Sequence, residues 1–171
     1  MAGMDRPQII NRTLFARISA EAQASPRRRK NYNFHGSDMD ASHRLLNAME
    51  PDSYIQPHRH LDANKDESII VLSGRFGIVF FDQAGNVTEV VTLSSGGEAV
   101  GVNIPHGEFH SLVALESGSL FFEAKAGPYQ ALTLEEKASW APAEGESGAV
   151  AYLAKMKALC QESAHSFRDR L

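Results

Sequence analysis

The segment Pro57-His58-Arg59-His60-Leu61-Asp62-Ala63-Asn64-Lys65-Asp66-Glu67 sets two histidines one residue apart and follows them with a carboxylate. In an extended chain residues i and i+2 point to the same side, so His58 and His60 project together and Arg59 points away. Two imidazoles placed this way can ligate a transition metal. Glu67 opens a β-branched run and shares a face with Ile69 and Val71. If that face is core, the carboxylate is buried, which is costly unless it is paired or metal-bound. Asp66 has the opposite parity and Asp62 lies in the connecting loop, so both are expected in solvent. A second set follows in Pro105-His106-Gly107-Glu108-Phe109-His110-Ser111-Leu112. Its proline and glycine predict a tight turn, with the glycine free to take positive φ. His110 then starts a strand and faces inward with Leu112 and Ala114, while His106 stays in the turn. A lone inward histidine is more often a core residue than a ligand. The combination of H-x-H, a glutamate and a later inward histidine is far more specific, and the expected metal ligands are His58, His60, Glu67 and His110.

The rest of the chain must supply a scaffold that brings these residues together. It has 171 residues, 43% of them hydrophobic, which suits one domain with a real core. Seventeen basic and 21 acidic side chains leave a formal charge of -4, without the basic footprint of a nucleic-acid binder. No apolar run approaches the ~20 residues of a membrane span. The first residues lack the order of a secretory signal, and a single cysteine, Cys160, rules out an internal disulfide, so a reducing cytoplasm is expected.

Residues 7–24 predict a helix with Ile9, Leu14, Ile18, Ala20 and Ala22 on a partly apolar face, ended by Pro26. The basic run Arg27–Lys30 reads as a solvated loop leading into an extended aromatic segment. From about residue 43 to 126, short apolar runs recur every ten residues or so between Gly, Asn and Asp clusters, the pattern of an all-β sandwich or barrel. Residues 82–86 and 94–98 predict turns. Residues 141–148 read as a linker, and Val150, Leu153, Met156, Cys160, Ala164 and Phe167 form one stripe of a C-terminal amphipathic helix. Trp140 reads as an apolar anchor for that end of the chain. The expected organisation is an N-terminal helix and basic arm over 1–30, a barrel over 31–140, the linker, and the helix over 149–171.

The two motifs are similar to the two-part cupin signature. The first part is His58, His60, Glu67 and Gly74, with six residues between Glu67 and Gly74; the second is Pro105, Gly107 and His110. The chain departs from the signature in two places. Six residues separate His60 from Glu67 where cupins usually have three or four, and Ala114 stands where many cupins carry Asn. The segments NYNFH, RLLNAMEPDSYIQPHRH, VLSGRFGIVFFDQAGNVTEVV, IPHGEFHSLVALESGSLFFEAKAGPY and ASWAPAEG further resemble the WbuC family of cupin-fold metalloproteins. That resemblance implies a double-stranded β-helix (jelly-roll) barrel and a homodimer. It also implies an association with bacterial surface-polysaccharide (O-antigen) synthesis.

Three imidazoles and one carboxylate on a divalent ion (Zn, Fe, Mn or Ni) leave a net charge of about +1 and room for open positions. Such a site suits Lewis-acid or oxygen chemistry. His35, Arg44, Tyr54 and Lys125 are the candidate catalytic residues around it. A cation such as Arg44 or Lys125 would suit a small anionic or sugar-derived substrate. Three functions are consistent with these residues: a metal-dependent isomerase or epimerase, a metal-dependent oxygenase, and a binder without catalysis.

Overall fold

The computed structural model describes residues 6–168, with side chains described through Glu162. The chain order is α1 (Arg12–Ala24), β1 (Arg29–Asn33), β2 (Ser42–Met49), β3 (Glu67–Ser73), β4 (Arg75–Phe81), β5 (Val87–Ser94), β6 (Gly101–Ile104), β7 (Phe109–Ala114), β8 (Ser119–Ala126) and α2 (Ala149–Arg168). Two antiparallel sheets, ordered β1-β2-β8-β3-β6 and β5-β4-β7, face each other. This is the expected all-β architecture, two packed antiparallel sheets flanked by two helices.

Alternation of side chains divides the structure into layers. Between the sheets, Met49, Ile69, Val71, Phe76, Ile78, Phe80, Leu112 and Phe121 form the barrel core. The opposite face of the larger sheet offers Leu46, Ala48 and Leu120 to Ile18 and Ala22 of α1. The opposite face of the smaller sheet offers Val79, Phe81, Phe109 and Val113 to Leu153, Met156 and Cys160 of α2. The smaller sheet is thus covered on both faces, and the larger one over β1, β2 and β8, while Ile70 on β3 stays exposed.

Helix α1 begins later than the apolar pattern suggests. The Asn11 side chain accepts from the Leu14 amide at 3.0 Å and caps the helix there, which leaves Ile9 outside it and exposed. Ala20 is also exposed. On α2, Leu153, Met156 and Cys160 are buried as expected, Val150 is exposed, and the side chains of Ala164 and Phe167 lie outside the described residues.

Residues 141–148 are strapped to the barrel. Arg27 and Arg29 each reach Glu144 at 2.7 Å, and the Tyr54 hydroxyl donates to the Pro142 carbonyl at 2.7 Å. Part of the basic run is thus committed to holding this segment. The guanidinium bonds, Arg27 first, push the Glu144 carboxyl down to about 2. Trp140 packs on Phe81 and Phe109, as an anchor would.

Helix α2 approaches the smaller sheet at Gly77. A Cβ there would overlap Cys160 Sγ and lie 2.9 Å from Cys160 Cβ. Overpacking such a contact costs about 1–3 kcal/mol. Gly77→Ala is expected to loosen α2 and expose Cys160, whose thiol burial now pushes its pKa up to about 11. Native-state reaction of Cys160 with a thiol reagent should accelerate by about tenfold or more. An unchanged rate would show that α2 does not depend on that close approach.

Candidate functional site

The two sequence motifs meet through backbone. His58 N–H donates to the His110 carbonyl at 3.0 Å, and His110 N–H donates to the His58 carbonyl at 2.9 Å. The Gly107 amide, in the turn at φ 83°, donates to the His60 carbonyl at 2.7 Å. The segment carrying H-x-H belongs to no long strand, yet it is laid against the start of β7 by these bonds. Glu67 opens β3, in register with Lys125 of β8 on one side and Ile104 of β6 on the other.

The four expected ligands converge. Ring centroids lie 4.8 Å apart for His58 and His110, 5.4 Å for His58 and His60, and 6.3 Å for His60 and His110. Glu67 Oε1 is 2.8 Å from His110 Nε2, and Glu67 Oε2 is 3.4 Å from His60 Nε2. Arg59 points away onto the Phe109 ring, and Asp66 turns outward to His106, as parity predicts.

Backbone carbonyls set the imidazole tautomers. His58 Nδ1 lies 3.0 Å from the Gln56 carbonyl, and His110 Nδ1 lies 2.9 Å from the Glu108 carbonyl. A carbonyl only accepts, so each Nδ1 carries a proton; neutral His58 then presents an Nε2 lone pair, while His110 Nε2 faces Glu67 Oε1 at 2.8 Å. This is the supporting arrangement that metal-ligating histidines use. Burial, followed by repulsion from His110, pushes His58 down to about 3, so it is neutral. Burial alone would raise Glu67. The bonds from His110 and His60, with the charge of Lys125, outweigh that and hold it well below the usual carboxylate range.

Among the described residues, no group of three or more His, Cys, Asp or Glu side chains stands in a metal-holding arrangement. The donors instead bond to one another and to Lys125. The Lys125 ammonium donates to Glu67 Oε2 at 2.9 Å, lies 3.0 Å from Glu123 Oε1, and reaches His60 Nε2 at 3.3 Å. Burial opposes this charge, but Glu123 and Glu67 outweigh it and raise the lysine above its usual range. In chemistry the set still fits a divalent ion: Nε2 atoms turned inward, one carboxylate, and carbonyls behind two of the rings.

A cavity of ≈ 470 Å³ opens above the cluster, with His58, His60, Glu67 and Lys125 on its wall. That size suits a small molecule. His35 also lines it, stacked on His43 with centroids 4.0 Å apart. The structure does not bring Arg44 or Tyr54 there. Arg44 leaves the opposite face of β2 and lines a separate pocket with Gln8, Ile10, Phe34 and Phe122. Tyr54 is buried against the α2 side, its hydroxyl spent on Pro142. Sequence reading missed Asn31, Asn33, His43, Asn47 and Lys65, all on the cavity wall. The alternation of Asn31, Tyr32 and Asn33 was the available signal for β1.

A family described as "Domain of unknown function (DUF6016)" matches residues 10–93. No curated protein matches the chain significantly. Among solved structures, the chain is similar to KdgF from Halomonas sp. (21% identity, TM-score 0.48, covering 62% of this chain and 84% of that one). It is also similar to a cupin-2 domain containing protein from Shewanella frigidimarina (23%, TM-score 0.44, 57% and 80%). A third is oxalate decarboxylase from Bacillus subtilis (16%, TM-score 0.45, 63% and 30%).

The Lys125 contacts yield a direct test. Lys125→Met strands two largely buried carboxylates, and removing one partner of such a group costs about 3 kcal/mol. Urea unfolding of metal-free protein should show a loss of that size, and adding Glu67→Gln should restore part of it. A loss within ~0.5 kcal/mol, the usual range for surface substitutions, would mean that solvent already screens the cluster.

Proposed function

We propose that this chain is a metal-binding cupin enzyme acting on a small anionic or sugar-derived molecule held in the cavity. The observation that carries this reading is the convergence of His58, His60, Glu67 and His110 from distant parts of the chain. Its companion is the pair of backbone carbonyls that turn the Nε2 atoms of His58 and His110 inward. His58, His60, His110 and Glu67 would hold the ion. A divalent ion there supplies Lewis-acid activation of an oxygen or, as iron or manganese, oxygen chemistry.

The chain's own groups have defined parts in this reading. His35 and Lys125 face the ligand space beside the cluster. Lys125 offsets the charges of Glu67 and Glu123 while no ion is bound. The barrel core of Ile69, Leu112 and Phe121 closes the space below and limits water. The resemblance of several segments to the WbuC family supports a role in bacterial surface-polysaccharide synthesis.

Metal analysis of protein purified without added metal tests the proposal. About one equivalent of a transition metal per chain is expected. The His58→Ala/His60→Ala variant should lose it while far-ultraviolet circular dichroism stays near that of the parent. The reading fails if the variant keeps full metal, or if the parent takes up none of Zn, Fe, Mn or Ni.

A further inference from the structure

The segment between His60 and Glu67, two to three residues longer than cupins usually have, does something specific in this fold. Asp62 caps its turn, accepting from the Asn64 amide on Oδ1 and from the Lys65 amide on its carbonyl, each at 2.9 Å. Asp66 then turns outward to the His106 amide at 2.9 Å. Between these outward carboxylates Lys65 turns inward. It is 7% exposed and lines the cavity.

The cations around the cavity differ in what balances them. Lys125 has Glu67 and Glu123 within 3.0 Å, and Arg27 and Arg29 share Glu144 at 2.7 Å. Lys65 has the Pro128 carbonyl at 2.7 Å and senses Asp62 at longer range, but among the described residues no carboxylate forms an ion pair with it. A buried ammonium has three donors and a full charge, and one neutral acceptor satisfies neither. The cavity side is where a counter-charge can come from. Farther along the wall stand Asn31 and Asn33, both exposed, and Asn47, which donates to Glu123 at 2.9 Å. Amides donate and accept, as sugar hydroxyls require.

We propose that Lys65 is the anion-receiving group of the cavity. The ligand class is a small polyhydroxylated acid, with its carboxylate or phosphate at Lys65 and its hydroxyls toward the asparagine-lined wall. This rests on the reading of the cavity as the ligand site, but not on the metal.

Calorimetry on the full-length protein, with metal content measured beforehand, tests it with D-glucuronate, D-glucose 6-phosphate and neutral D-glucose. At least one anionic probe should bind about tenfold or more tightly than glucose, and comparing the two anions tells carboxylate from phosphate. Lys65→Met should abolish the preference and Lys65→Arg should keep part of it, with Lys65→Gln replacing the methionine variant if that one fails to fold. Equal binding of all three probes, no binding of any at millimolar concentration, or an undiminished preference in folded Lys65→Met or Lys65→Gln overturns the proposal. A metal-loaded protein indifferent to anions would sink this inference alone. A metal-free protein that discriminates through Lys65 would sink the metal reading and leave this one standing.

Discussion

A carboxylate buried inside a β-barrel must find compensation, and most of what surrounds Glu67 can be understood from that requirement. Glu67 is 4% exposed at the mouth of an apolar core. An uncompensated charge there would cost several kcal/mol, a large part of the 5–15 kcal/mol that holds a domain together. Its compensation comes from three elements at once: His110 on β7, His60 on the segment bonded to β7, and Lys125 directly opposite on β8. None of these can slip by one residue without turning its side chain to the other face. The site therefore depends on register, and register depends on the packing of both sheets.

That packing explains the two helices. A sheet with one face in solvent can pin its register with one apolar stripe. Here β2 presents Leu45 inward and Leu46 to α1, and both are buried. The smaller sheet does the same with α2, closely enough at Gly77 that no side chain fits. Gly74, at φ 69°, sits against the Ser119 backbone, with 2.8 Å from its missing Cβ to Ser119 Cα, so β3 and β4 join where β8 begins. The motif glycine thus serves the same register that places Glu67 against Lys125.

Double coverage also decides what could be read from the sequence. The barrel strands, the hairpins and the four converging side chains were legible, because turn residues and the i, i+2 rule fix them locally. Arg44 was not, because a strand buried on both faces has no apolar/polar alternation to reveal its parity. Its neighbours Leu45 and Leu46 look alike and point opposite ways. Tyr54 lies in the irregular stretch between β2 and β3, where no period operates. The 141–148 segment has a linker's composition, but it is fixed by Arg27, Arg29 and Tyr54, whose contacts span more than eighty residues of sequence.

Lys125 shows why the charge of such a site cannot be taken from its ligand types alone. Its three donors face three acceptors, on Glu67, Glu123 and His60. Two of those acceptors, Glu67 and His60, are the same atoms an ion would use. A divalent cation at the proposed site would therefore have to displace an ammonium already in place, and its affinity would be the difference between two cations for one set of donors. At about 4 Å and an effective dielectric of about 20, leaving the ammonium beside a divalent ion would cost about 8 kcal/mol, twice the figure for two unit charges. Lys125 would thus have to swing toward Glu123 on entry of such an ion. Glu123, partly buried and bonded by Asn47, would be placed to hold it there. At the proposed metal site Glu123, which makes no contact with the histidines, would therefore share in setting the affinity through its hold on Lys125.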